Sequence, residues 1–371
     1  MTLATPSARL PRTLCAATLL STLLGAALAA PPATPLEGAA RHQIVDTLVT
    51  RLPAVYIFPE VGVRVAGQIR DKAAQGGYDG DKTVEALAED LTKDLRQMAD
   101  DRHFRIEVVP DFKESPPDAH RVPSAAEAAE MRADIASRAY GVNRVQRLPG
   151  NIGYIDVRGF GPLEFVAPAY AQAMSLLTGS EALVIDLRRN GGGQPEAVAG
   201  LLSHFFAVGD DRHLNSMYSR ADNRTRESWT SPAASPRYEK PVYVLTSKFT
   251  FSGGEECAYD FQTQKRATLV GEVTGGGANA GDLVSLGHDV VVFIPNSRPI
   301  NPVTGTNWEH VGVKPDVPTS AADAMKTAYV AALNARLKTA TDPEEKDNLH
   351  EVLANVDKGI IELPGYVPPR R

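Results

Sequence analysis

The chain has 371 residues, 43% hydrophobic and 23% charged, which is enough for a sizeable core in about two or three units. A net charge of -6 without a basic stripe argues against a nucleic-acid partner. Arg9 and Arg12 precede an apolar run from Leu14 to Leu28, and Ala27-Leu28-Ala29 offers a small-x-small cleavage pattern. Residues 1–29 therefore read as a signal peptide. The mature chain reads as exported, periplasmic or secreted, with no stable membrane span after cleavage. Cys15 leaves with that segment, so the remaining Cys257 allows no internal disulfide and reads as a buried structural thiol.

From Glu37 to about Arg51, Ile44, Val45, Leu48, Val49 and Leu52 recur at helical spacing, and Pro53 is expected to stop that helix. A second helix is predicted from Pro59 to Ala74, ended by Gly76-Gly77. Val84, Leu87, Leu91, Leu95 and Met98 give a third its apolar stripe. Phe104 to Val109 reads as a strand, Pro110 to Pro123 as a loop, and the alanine-rich stretch from Ala125 to Arg138 as a helix. Residues 30–145 thus form a small N-terminal helical domain.

The pattern changes near Asn151. Asn151 to Val157 reads as a strand and Phe165 to Leu177 as a helix. Ala182 to Leu187 is the continuous apolar run of a strand buried on both faces. Alternating strands and helices continue through Glu196 to Phe206, Val242 to Thr246, Glu255 to Gln264 and Thr268 to Gly271. They imply an α/β core with a mixed or largely parallel sheet, residues 146–319. Strands at Leu283 to Leu286 and Val290 to Ile294 close it. Helices at Ala321 to Leu337 and Pro343 to Val356 and a proline-bearing tail make up residues 320–371.

Ser252 stands where a strand turns into a helix, and this position has two readings. Ser252-x-x-Glu255 is a capping box. A serine on such a turn also projects its hydroxyl beside the free amides of the helix start, which can stabilise an oxyanion in acyl transfer. Asn190-Gly191-Gly192-Gly193 follows the buried strand, and glycines there let backbone N–H groups face a ligand. Gly275 to Ala280 imitates a dinucleotide fingerprint, but strand-like residues follow it where a helix must begin. No phosphate loop and no zinc signature is present, so no cofactor and no metal is expected.

Three motifs occur in series. They are Ile185-Asp186-Leu187-Arg188-x-Asn190-x-Gly192-Gly193, then Thr246-Ser247-x-x-Thr250-x-Ser252-x-x-Glu255, then Arg266-Ala267-Thr268-Leu269-Val270-Gly271-Glu272. Together they resemble the core of the tail-specific (C-terminal processing) serine peptidases. The resemblance implies a crotonase-like core, Ser252 as nucleophile, and an oxyanion hole of Gly191, Gly192 and Gly253 amides. The main branch carries a lysine base in the glycine-rich turn, where this chain has Gly277. It also inserts a peptide-binding domain for which His103 to Asn151 leaves no room. Both departures resemble the branch of the tricorn protease core and interphotoreceptor retinoid-binding protein. There the implied base is the histidine of Asp101-Arg102-His103-Phe104, with Glu309, before Gly312-Val313-Lys314-Pro315-Asp316, as a further catalytic residue. His310 is the rival base; His42, His120, His204, His213, His288 and His350 lie outside these motifs.

A serine hydroxyl needs such a base, and imidazole suits the task near neutral pH. The implied function is an exported peptidase acting on peptides or unfolded chain ends. A carrier of a hydrophobic ligand and a non-peptide esterase are the alternatives the same fold permits.

Overall fold

In the computed structural model, residues 34–114 and 124–369 are described. The signal-peptide reading and His120 fall outside them. Three amphipathic helices come first, α1 (Gly38–Val55), α2 (Pro59–Ala74) and α3 (Val84–Ala99). Pro53 does not stop α1, contrary to expectation. It sits in the last turn, where one missing amide costs little, and the Tyr56 N–H still bonds to the Leu52 carbonyl. Thr83 caps α3 by accepting from the Ala86 N–H at 3.2 Å, and Asp100 ends it in the left-handed conformation. The short strand β1 (Arg105–Val108) follows, then α4 (Ala125–Ser137), started by a capping box of Ser124 and Glu127.

The principal sheet has six strands. It contains β2 (Val142–Leu148), β3 (Ile152–Val157), β4 (Ala182–Asp186), β7 (Val242–Thr246), β8 (Thr268–Gly271) and β11 (Val317–Pro318). Their order is β11-β8-β7-β4-β3-β2, parallel throughout except that β2 runs antiparallel to β3. On one face, Leu183 and Ile185 of β4 pack with α5 (Leu163–Leu177), α6 (Pro195–Leu202) and α7 (Gly253–Thr263). On the other, Ala182 and Val184 pack with α8 (Ala324–Thr339) and α9 (Pro343–Asp357). The continuous apolar run of β4 is therefore explained by helices on both sides. The mixed α/β architecture expected from the sequence is the one observed.

A second, antiparallel sheet contains β1, β5 (His213–Ser219), β6 (Arg224–Trp229), β9 (Ala280–Gly287) and β10 (Val290–Ile300). Its apolar face, including Val284, Val292 and Ile294, completes one core with Ile44, Leu48 and Leu52 of α1 and Leu91 and Leu95 of α3. The N-terminal helices thus bury their stripes on strands contributed by the later part of the chain. Among the described residues, no helix is long and apolar enough to cross a membrane.

Leu48 is fully buried in this shared core. Leu48→Ala should cost about 2–5 kcal/mol in urea unfolding. Because the core is shared, the loss of helix by far-ultraviolet dichroism and the change in emission of buried Trp308 should shift together. Separate transitions would show that the helices melt on their own.

Candidate active site

The turn bearing Ser252 is fastened to the end of β4 by side chains of the second motif. Thr250 Oγ1 donates to the Leu187 carbonyl at 2.8 Å, Ser247 Oγ donates to the Arg188 carbonyl at 2.6 Å, and the Phe251 N–H donates to the Asn190 carbonyl at 3.0 Å. Ser252 itself has φ 52° and ψ -124°, a backbone that L-residues adopt only under constraint. An N-cap residue is ordinarily extended, so this is not the conformation of a simple capping serine. Glu255 Oε2 accepts from the Ser252 N–H at 3.0 Å.

Gly192 lies against the same turn. Its φ is +103°, and a Cβ there would fall 2.7 Å from Ser252 Cβ, so only glycine fits. The three amides expected to receive an oxyanion differ in this structure. The Gly192 N–H already donates to Asn190 Oδ1 at 2.8 Å, whereas the Gly191 N–H reaches the Arg158 carbonyl at a long 3.4 Å. Gly253 opens α7, where an amide has no intrahelical acceptor. A cleft of about 630 Å³, bounded by Gly191, Gly192, Arg158, Phe160, Tyr140 and Ile135, opens beside the first two of these glycines.

His103 arrives from the end of α3 and lies against Phe251, with ring centroids 4.6 Å apart, so it neighbours the residue just before Ser252. The imidazole is buried, and neither ring nitrogen has a hydrogen-bond partner. Its Nδ1 is 3.6 Å from Asp101 Oδ1. Asp101 is wholly buried and accepts from the His103 N–H at 3.0 Å, Asn279 Nδ2 at 3.0 Å and the Tyr56 hydroxyl at 3.2 Å. Burial raises the Asp101 carboxyl, but the adjacent His103 side chain, then the hydrogen bond from Asn279, the His103 charge and the His103 amide outweigh it and hold the group below its ordinary value.

Glu309 stands one step further off. Its Oε2 accepts the amides of Ala278 and Asn279, the latter at 3.0 Å, while Oε1 makes no hydrogen bond and lies 4.0 Å from His310 Nδ1. Burial, followed by the charge of Asp101, pushes its carboxyl up. Glu309 thus sets the Asn279 backbone, and Asn279 in turn reaches Asp101. His310 faces Asp100 at 3.3 Å on a half-exposed surface rather than Ser252. Sequence reasoning quoted Asp101 only as part of a pattern and met Asn279 only within the rejected dinucleotide fingerprint, with no role of its own. The signal for the first was an aspartate two residues before histidine, placed to bond the amide that follows.

Glu255 is the second buried carboxylate of the site. It accepts from the Thr274 hydroxyl, the Gly276 N–H at 2.7 Å, the Gly277 N–H at 2.9 Å and the Ser252 N–H. A Cβ at Gly277 would fall 2.2 Å from Phe251 Cζ and 2.9 Å from His103 Cε1. The position where the main branch carries its lysine is therefore filled by those two rings. Cys257 is buried in α7, and burial, then Asp260 and Glu256, push its thiol up, which suits packing rather than nucleophilic chemistry. Among the described residues, no group of three or more His, Cys, Asp or Glu could hold a metal ion.

A strained serine at the head of a helix, beside a mixed sheet that receives an imidazole from outside it, is the ground plan of a serine-type peptidase. Peptidase family S41 matches residues 151–319, and the N-terminal domain of peptidase S41 in eukaryotic IRBP matches residues 38–143. The chain belongs to peptidase family S41. It is 28% identical over 172 residues to the chloroplastic C-terminal processing peptidase of Tetradesmus obliquus, covering 45% of this chain and 34% of that protein. It is 30% identical over 129 residues to the carboxyl-terminal-processing protease of Synechocystis, covering 34% and 29%. The chain thus spans only about a third of the length of these relatives. The tricorn protease shares the fold at a TM-score of 0.51 and 14% identity, over 85% of this chain and 37% of that one. Mature CPAF does so at 0.51 and 12%, over 88% and 100%.

Burial pushes Glu255 from 4.5 up to about 7, against the four bonds that favour its anion. The folded state therefore keeps a proton that the unfolded chain releases. This contribution to stability is full below 4.5 and is lost as pH rises through about 7. Glu256 and Asp260 are pushed up by burial in the same helix and act in the same direction. Glu255→Gln should remove only its own share. Across thermal melts from about pH 4 to about pH 8, the variant should lose about 2–3 kcal/mol less stability than the parent. Equal slopes would place the Glu255 proton elsewhere.

Proposed function

We propose that this chain is an exported serine peptidase that hydrolyses peptides or unfolded protein chain ends through an acyl-enzyme on Ser252. The observation that carries the reading is the buried, unpartnered His103 imidazole packed on Phe251, the residue adjoining a conformationally strained serine. In this reading His103 is the base and Asp101, at its Nδ1, is the carboxylate that orients it. Glu309 supports the pair through Asn279.

Ser252 Oγ attacks the scissile carbonyl while its proton passes to His103 Nε2. The oxygen that becomes negative is held by the Gly253 and Gly191 amides, with Gly192 allowing the close approach. Collapse of the tetrahedral species expels the amine, which takes the proton back from His103. Water then repeats the sequence on the acyl ester and frees the serine. Family membership and the leader-like residues 1–29 support an exported peptidase. The cleft beside Gly191 gives the substrate chain an approach.

The match to the N-terminal domain described for eukaryotic IRBP favours one other reading, a ligand carrier on the same fold. A fluorophosphonate separates the two, since only an activated serine reacts. The probe should label Ser252 and fail on Ser252→Ala. Asp101→Asn should lower kcat by about 10²- to 10⁴-fold with KM little changed. Full peptidase activity in Ser252→Ala would end the assignment, and an unlabelled parent would favour the carrier.

A further inference from the structure

We infer that Tyr366 is a positioning residue for the reaction: laid on Arg188 and bonded to Ser247, it locks the joint between the turn that carries Ser252 and the turn that carries Gly191 and Gly192. This rests on the reading of Ser252 as the nucleophile. The two turns meet at one short bond, from Ser247 Oγ to the Arg188 carbonyl at 2.6 Å. Ser247 opens the run to Ser252, and Arg188 opens the run to Gly191 and Gly192. A shift at this bond therefore moves the hydroxyl against the amides that would receive the oxyanion.

Both partners of the joint are closed in, and Tyr366 supplies a last contact to each. Ser247 is wholly buried. A hydroxyl has one proton to give and room to accept two. Ser247 Oγ gives its proton to the Arg188 carbonyl and accepts from the Phe249 N–H at 3.0 Å and from the Tyr366 hydroxyl at 3.4 Å. Arg188 is almost as deeply buried, and the edge of its guanidinium is bonded to both oxygens of Asp186, at 2.9 and 2.6 Å, and to the Ala321 carbonyl at 2.7 Å. Burial works to strip the cation, but the bonds and the charge of Asp186 outweigh it, and the group stays charged. With the edge taken, what remains is the flat face, and the Tyr366 ring lies against it with its centre 5.2 Å away. A cation on a ring face is attracted most strongly where water is kept out.

The segment that brings Tyr366 has little other polar hold. From Glu362 to Pro369, the bond of Tyr366 to Ser247 is the single hydrogen bond made among the described residues. Ile361 and Leu363 pack on the core that α8 and α9 form with the principal sheet. Pro364, Pro368 and Pro369 limit the freedom the segment gives up on docking. A stretch without a backbone ladder is thus aimed at the place where the two turns of the site are joined. The 3.4 Å bond is long, so most of the hold falls to the ring.

The rate at which a fluorophosphonate labels Ser252 tests this in the parent, Tyr366→Leu and Tyr366→Phe. Leucine keeps an apolar side chain at this half-buried position and removes ring and hydroxyl, whereas phenylalanine removes the hydroxyl alone. The maximal labelling rate of Tyr366→Leu should fall about tenfold with the half-saturating probe concentration little changed, because the defect lies in geometry rather than access. Tyr366→Phe should lose no more than about threefold. The emission of buried Trp308 checks that both variants are folded. A residue that merely packs would leave both at the parental rate. Parental labelling of Tyr366→Leu, equal losses in the two variants, or a change confined to the half-saturating concentration would overturn the inference. An unlabelled parent ends the peptidase reading and this inference with it, while a labelled parent beside an unaffected leucine variant sinks the latch alone.

Discussion

The site depends on one buried carboxylate. Asp101 takes hydrogen bonds from the Tyr56 hydroxyl after α1, from the His103 amide after α3, and from Asn279 in the glycine-rich loop. Burying a carboxylate costs several kcal/mol, and hydrogen bonds to a charged group return about 1.5–3 kcal/mol each. Here the bonds win, and the group stays ionised. That outcome converts three separate stretches of chain into one fixed arrangement. An apolar residue at 101 would leave three buried donors seeking an acceptor and the imidazole without a reason to face one way.

Two further carboxylates hold the glycine-rich loop from opposite ends. Glu255 takes the amides of Gly276 and Gly277, and Glu309 takes those of Ala278 and Asn279. Successive amides directed at carboxylates give the loop a defined path without a regular ladder. The path brings Gly277 against Phe251 and His103 so closely that no side chain fits. The bareness of the loop at 277 and the position of the His103 ring are therefore linked: any side chain at 277 would have to displace Phe251 and His103.

Much of this was legible in the sequence because it rests on local pattern. The apolar run of β4, the stripe of α3 and the strand-turn-helix at Ser252 each report their surroundings within a few residues. The β5–β6 hairpin did not show itself: its burial pattern is mixed in β5 and exposed in β6, so hydrophobic alternation is weak. β10 ran past its predicted end through Pro295 and Pro299, residues that ordinarily argue against a strand. The Asn279 partner of Asp101 was hidden for another reason. The Asp101–Asn279 bond joins residues 178 apart in sequence, and no local rule announces such a contact.

The strain at Ser252 follows from the same network. A non-glycine residue at φ 52° and ψ -124° costs about 1–3 kcal/mol and persists only where its surroundings dictate it. Here they do: Thr250 and Ser247 fasten the turn to β4, Asn190 receives the Phe251 amide, and Glu255 receives the amide of Ser252 itself. Of these anchors only Glu255 titrates, and burial has moved it up to about 7. As an anion it can accept all four of its bonds, and as an acid it surrenders part of that capacity. The protonation of one buried carboxyl thus bears on both the posture of the serine and the path of the loop that receives His103. A turn held by backbone alone would have no such dependence.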